Sequence, residues 1–384
     1  MPLNAFKINI PSDHVACLED RLRSAVWAAE PPFADPWEYG VPAEYLRQLT
    51  EYWLDRYDWS DQQAAMNRWQ HLRGDVDGVV IHVVVEHGSG HSPVPLILTH
   101  GWPWTFWDFA KVIGPLAHPE RFGGDSDDGF DVIVPSLPGS VFSPPPPRRI
   151  GWQQTAGLWV RLMDELGYDR FGAHGGDSGA FVTAQLAHEF PDRLIGGHLT
   201  YPALLNPAAQ FTRDDFAPDE LADFDGQRDP TTNMTHFLTH TLEPQTIGWA
   251  LQDSPLGLAA WMLQRRAAWS DCKGNVENRF TKDDLITSFA LYWLTNTVTS
   301  SLRFYADSFR SPWQPTHSGE PTLRAPIGIA SFPKELSHVP RSVAERYANL
   351  VHWTRMPSGG HFAPMEEPQF LIDDLRDFFR PLRR

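Results

Sequence analysis

Short apolar runs alternate with segments of helical periodicity along this chain, stop, and resume more than a hundred residues later. VVIHVVV (79–85), PLILTHG (95–101), FDVIVPS (130–136), FGAHGG (171–176) and RLIGGHL (193–199) read as strands. Between them GLWVRLMDELG (157–167) and SGAFVTAQLAHEF (178–190) read as helices. Strands apolar on both faces belong to a sheet covered on both sides. Their alternation with helices predicts an α/β fold, a mostly parallel sheet with helices on both faces. Asp77-Gly78, just before the first run, is a hairpin signal. After Tyr201-Pro202 the alternation ceases, and residues 206–310 read as mainly helical, with patterns near 256–269 and 284–306. It returns with PIGIASF (326–332), a helix near 341–349, VHWTRMP (351–357) and a last helix near 369–380.

At the other end, Val15, Leu18, Leu22 and Val26 predict an amphipathic helix over 12–26, and Leu46, Leu49, Trp53 and Tyr57 another over 43–57. The stretch around Pro31, Pro32 and Pro36 between them has no period. The expected organisation is a helical arm and lead-in (1–92), then an α/β core split into two pieces (93–205 and 319–384) by a helical insertion that caps it (206–318). Pro144 to Pro147 mark a stiff loop within the core.

Composition narrows the partners. A net charge of −16 over 384 residues argues against a nucleic-acid binder and against an anionic membrane surface. Two cysteines, Cys17 and Cys272, without CxxC spacing, make a disulfide framework and a zinc ribbon poor expectations. No 18-residue apolar run predicts a membrane span. The start, MPLNAFKINI, lacks the charged and apolar regions of a signal peptide, so a cytoplasmic protein is the default expectation. Oligomeric state is left open, a homodimer being one option.

The chemistry centres on Gly175-Gly176-Asp177-Ser178-Gly179-Ala180, between a strand and a helix. Small residues two before and two after a central position permit a strained strand-to-helix turn that lifts one side chain above the sheet, a nucleophile elbow. Two registers fit. Asp177 is flanked by Gly175 and Gly179, and Ser178 by Gly176 and Ala180. The Asp register has glycine at both sites and the longer strand before it. Gly359-Gly360-His361-Phe362 follows the last strand, where a histidine can reach the elbow because parallel strands share one crevice at their carboxyl ends. Glu335, in FPKEL after the penultimate strand, is placed to orient His361. The order is then nucleophile, acid, base, the α/β-hydrolase order. His100-Gly101-Trp102-Pro103 follows the strand expected to give an oxyanion donor, so the backbone N–H groups of Trp102 and Ser178 would form the hole. Trp102-Pro103 is a candidate cis bond.

Together HGWP, the GGD elbow, FPKE, RFY and GGHF followed by EEP resemble the microsomal-type epoxide hydrolases, their soluble bacterial members most closely. FKINIPSDHVACLEDRLRSAVW is similar to that family's N-terminal arm, and the segments keep the family's order. The resemblance implies an α/β-hydrolase core with a helical cap and an arm against both, without the membrane anchor of the mammalian members. It implies Asp177 as nucleophile, His361 as base, Glu335 as acid and Tyr305 as one of two cap tyrosines that hold the epoxide oxygen. The chain departs from the family twice. Ser178 stands where tryptophan usually follows the nucleophile. His236 stands about eight residues before Pro244, where the first cap tyrosine should be, and an imidazole can donate in its place. His236 and His240 also have a metal-compatible spacing, with no third ligand in view.

The reaction so implied is epoxide plus water to vicinal diol through an ester of Asp177, with no cofactor. The only partner expected is a small-molecule epoxide, apolar or aromatic. Trp102, Trp104, Trp107, Trp249 and Trp261 are candidates to line its pocket. Bacterial relatives that open aryl epoxides in natural-product pathways, such as those of enediyne antibiotics, suggest a biosynthetic role. A serine esterase using Ser178, a haloalkane dehalogenase and a hydrolase-like binding protein are the competing readings.

Overall fold

The computed structural model describes residues 3–30, 33, 37–206, 209–225 and 234–383. The prolines at 31, 32 and 36 lie outside them. Among the described residues nine strands form one sheet: β1 (Asn4–Phe6), β2 (Gln70–Val76), β3 (Val79–Glu86), β4 (Val94–Thr99), β5 (Phe130–Pro135), β6 (Phe171–Gly175), β7 (Leu194–Leu199), β8 (Leu323–Ser331) and β9 (Ala348–Arg355). Their order is β1-β2-β3-β5-β4-β6-β7-β8-β9. From β5 to β9 every neighbour is parallel, whereas β1, β2 and β3 join antiparallel. The chain leaves β4 for β5 on one side and returns to β6 on the other. The gap between β4 and β6 is therefore the topological switch point, where such sheets leave a crevice.

The N-terminal segment differs from the helical arm expected. Besides β3 and its hairpin turn, which were expected, it adds β1 and β2 to the sheet edge, β2 and β3 meeting across a turn in which Asp77 and Gly78 both take positive φ. Its first helix, Ser12–Arg23, stops short of the expected end, and Val26 is 94% exposed rather than part of the apolar stripe. Leu18, Leu22, Leu49 and Trp53 bury into the same core as Phe289 and Leu291 of the insertion, so arm and insertion share one apolar contact.

The insertion contributes helices Thr235–Leu242, Pro244–Asp253, Pro255–Trp269, Lys282–Leu294 and Val298–Phe309. The last two were expected as one. Thr281 and Asp284 make a capping box that starts the first. Asn296 at φ 54° then turns the chain, a left-handed conformation asparagine tolerates better than most residues. Polar anchors pin these helices to the core. Arg266 pairs with Asp108 at 2.6 Å, Tyr292 donates to the Trp104 carbonyl at 2.6 Å, and Ser300 donates to the Gly139 carbonyl at 2.6 Å. Among the described residues no helix is long and apolar enough to cross a membrane.

Candidate active site

Thr99 of β4 pairs with Gly175 of β6, so the residues after each strand leave the sheet side by side. Asp177 follows at φ 50°, ψ −130°, and caps helix Ser178–Glu189. Such a conformation is strained for any residue with a side chain and persists only where the surroundings enforce it. Here they do. A Cβ at Gly175 would strike the Gly179 carbonyl, one at Gly179 the Thr99 carbonyl, and one at Gly101 the Asp177 carboxylate. The central residue of the elbow is therefore Asp177, the register with glycine on both sides.

Its two carboxylate oxygens have different partners. Oδ1 accepts from the Trp102 N–H at 3.0 Å, the Ser178 N–H at 2.6 Å and the Ser178 hydroxyl at 2.9 Å. Oδ2 lies 3.0 Å from His361 Nε2. On the far side of the ring, His361 Nδ1 meets Glu335 Oε1 at 2.6 Å. The Trp102-Pro103 bond is cis. Burial alone would raise the Asp177 carboxyl, but His361 and the N–H donors of Trp102 and Ser178 outweigh it, and Asp177 is held below the usual range, ionised. Burial alone would lower His361; the Glu335 and Asp177 carboxylates reverse that and hold the imidazole above its ordinary value.

The His361 loop is fixed from two sides. Lys334 donates its N–H to the Gly359 carbonyl at 3.1 Å, which ties the loop to the strand end bearing Glu335. From the cap, the Trp269 carbonyl accepts the His361 N–H at 3.0 Å. Glu366 accepts from the Phe362 N–H at 2.9 Å and from the Asp271 N–H at 2.7 Å, joining loop to cap through one buried carboxylate. Trp104 and Trp269 set their rings edge-on to His361 at 5.5 and 5.2 Å. These walls keep the histidine and both carboxylates in an apolar surround.

Above the elbow, helix Val298–Phe309 carries Tyr305 and helix Thr235–Leu242 carries His236 and His240, all three buried. The Trp102 ring lies 6.4 Å from Tyr305, 6.0 Å from His236 and 4.4 Å from His240. Burial first, and then the Asp177 charge, pushes the Tyr305 phenol well above its ordinary value. It is a protonated donor at neutral pH. The arrangement thus presents an ionised carboxylate below a buried phenol and two imidazoles, with a histidine–glutamate pair behind the carboxylate.

Of the tryptophans expected to line the pocket, Trp102 and Trp104 border this group. Trp249 does not: it is 71% exposed. Trp107 packs on Trp69. Trp269, Glu366 and Arg266 were missed, because no local pattern distinguishes a tryptophan, glutamate or arginine whose partners come from another layer of the fold.

Residues 3–109 match a family model described as the epoxide hydrolase N terminus, and residues 94–251 one for the alpha/beta hydrolase fold. A Stigmatella aurantiaca protein named "Putative epoxide hydrolase" is 39% identical over 99% of this chain and 86% of its own. Epoxide hydrolase 1 of Sus scrofa is 30% identical over 98% of this chain and 88% of its own. The solved structure of Aspergillus niger epoxide hydrolase superposes with a TM-score of 0.86 at 27% identity, covering 100% of this chain and 97% of that one. On these matches, and on an α/β-hydrolase sheet with its site at the switch point, the chain belongs to the microsomal-type epoxide hydrolase family.

Proposed function

We propose that the protein converts an apolar or aromatic epoxide and water to a vicinal diol through an Asp177 ester. One observation carries the reading: His361 Nε2 approaches Asp177 Oδ2, while the Ser178 hydroxyl donates to Asp177 Oδ1. The serine hydroxyl is thus a hydrogen-bond donor to the carboxylate, and the histidine meets Asp177 rather than Ser178, which disfavours the esterase.

Oδ1 is held by three donors, so Oδ2 is the attacking oxygen. It forms a bond to one epoxide carbon as that carbon's bond to the ring oxygen breaks. A carboxylate needs no deprotonation for this at neutral pH. Tyr305, with His236, holds the ring oxygen, and Tyr305 protonates the alkoxide. Positioned acid catalysis of this kind contributes about 10²–10⁴-fold. Esterification removes the Asp177 charge that helped keep His361 protonated. The proton His361 then sheds balances the one Tyr305 gave. Neutral His361, oriented by Glu335, takes a proton from water as that water attacks Cγ. Negative charge gathers on Oδ1, where the Trp102 and Ser178 N–H groups already point, each worth about 3 kcal/mol in such a hole. The intermediate collapses by breaking Cγ–Oδ2. The diol leaves with Oδ2 and the proton from His361, and the water oxygen stays in the carboxylate.

Against a haloalkane dehalogenase stands Ser178, in place of the tryptophan expected to hold a halide. The buried rings around the site suit the aryl epoxides that bacterial relatives open in natural-product (enediyne-type) biosynthesis, and we extend the proposal to such a substrate. A panel of racemic aryl and alkyl epoxides with chiral analysis of the diols tests the reading. Diol formation that resists serine-directed phosphonates and is lost in Asp177→Ala supports it. Phosphonate inactivation, or an Asp177→Ala variant with full turnover, refutes it.

A further inference from the structure

We infer that His240 Nδ1–H is a further hydrogen-bond donor to the epoxide oxygen as the ring opens, with Trp261 fixing the imidazole tautomer that makes it one. The inference rests on the epoxide-hydrolase reading. The first observation is a hydrogen bond whose direction admits one assignment. Trp261 Nε1–H lies 3.0 Å from His240 Nε2. An indole N–H only donates, so Nε2 is the acceptor and the single proton of the neutral ring sits on Nδ1. The ring is fully buried, and burial, with the nearby His236 and Arg265, lowers its proton affinity well below the ordinary value. It stays neutral, and the tautomer stays fixed.

The second observation is that this donor has no acceptor. Among the described residues nothing accepts a hydrogen bond from His240 Nδ1, and the atom is sealed from solvent. Buried donors without partners are rare in folded proteins, and each calls for an explanation. The surroundings supply one. Besides Trp261, the ring stands edge-on to Trp102 at 4.4 Å, Tyr305 at 5.0 Å and His236 at 5.5 Å. Trp102 contributes the backbone N–H that holds Asp177 Oδ1, and Tyr305 is the proposed proton donor. The unpaired N–H therefore lies among the groups that enclose the reacting oxygen.

The chemistry needs such a donor at one moment. An epoxide oxygen has two lone pairs, and the alkoxide it becomes has three. A donor beyond Tyr305 and His236 gains its acceptor only as the C–O bond breaks, so it stabilises the transition state more than the bound substrate. A neutral histidine suits this, since it adds no charge that would lower the nucleophilicity of Asp177.

Stopped-flow measurement of ester formation and ester hydrolysis, with intact-protein mass spectrometry to see the ester, tests the inference. In His240→Leu, ester formation should slow about 100-fold, within the usual range for a positioned donor, while ester hydrolysis holds to within about threefold. His240→Asn, whose amide N–H falls near the position of Nδ1, should recover most of the rate. His240→Gln, whose amide reaches toward Trp261 instead, should not. Trp261→Phe should fall between, because both tautomers become available. Wild-type ester formation in His240→Leu overturns the inference. So does an equal loss of both steps in the Leu, Asn and Gln variants alike with a lowered melting temperature, which marks a merely structural histidine. If the wild-type enzyme forms no ester on Asp177, the epoxide-hydrolase reading fails and takes this inference with it.

Discussion

Arg266→Met offers a severe test of how the cap is held over the site. Arg266 and Asp108 are each about 1% exposed and meet through a single short bond, Nη1 to Oδ1 at 2.6 Å. Asp108 Oδ2 is already used by the Thr105 N–H at 2.8 Å, and Arg266 Nη2 also donates to the Pro103 carbonyl at 3.2 Å. The guanidinium lies over the Phe362 ring, 4.2 Å from its centre. Methionine fills much of the same space but leaves the Asp108 charge buried and unmatched. Breaking a buried pair from one side costs about 3–5 kcal/mol, whereas replacing both partners is often close to neutral. Arg266→Met should therefore lower unfolding stability by about 3–5 kcal/mol, and adding Asp108→Asn should restore some of it. Chemical denaturation of wild type, both single variants and the double variant gives the coupling energy directly. Because Pro103 follows Trp102, the single variant should also slow ester hydrolysis by disturbing the Trp102 N–H that faces Asp177 Oδ1. A loss below about 1 kcal/mol, or strict additivity of the two substitutions, would refute the claim that this pair clamps cap to core.

Three further outcomes follow from the site. His361→Gln should still be alkylated but hydrolyse the ester about 10²–10⁴-fold more slowly, so protein mass should rise by one epoxide per chain. Tyr305→Phe should do the reverse, slowing ester formation by about 10²-fold and sparing hydrolysis, which separate single-turnover rates resolve. Glu366, which joins the His361 loop to the cap, has its carboxyl pushed up by burial from 4.5 to about 7. A carboxyl raised on folding gives stability that is complete below its unfolded value and is lost as pH rises through about 7. Relative to Glu366→Gln, the wild type should lose roughly 2–3 kcal/mol between pH 5 and 8, and a difference that does not change with pH would contradict this.

Much of this site was legible because its residues need unusual backbone. Gly175 and Gly179 around Asp177, and the Gly359-Gly360 pair before His361, stand out in a sequence since few other residues allow such close approach. The parallel strands were legible from runs apolar on both faces. β1 was not, being three residues long with no apolar run of its own. β2 was not, because QHLRGDV has mixed polarity and gains its place by pairing with β3. The break at Asn296 was hidden inside a continuous helical pattern. Residues acting across the cap interface were the least legible. Arg266 and Asp108 are 158 positions apart, and Trp269 meets His361 only once the cap has docked. No local spacing encodes either contact.

The central claim is that Asp177 is alkylated and that the water oxygen enters its carboxylate rather than the diol. A single turnover in ¹⁸O-water, with enzyme in excess over epoxide, tests it by mass spectrometry of the diol and of the peptide carrying Asp177. Unlabelled diol with one ¹⁸O in Asp177 is the predicted result; labelled diol with an unlabelled peptide would mean that water attacks the epoxide directly and that no ester forms.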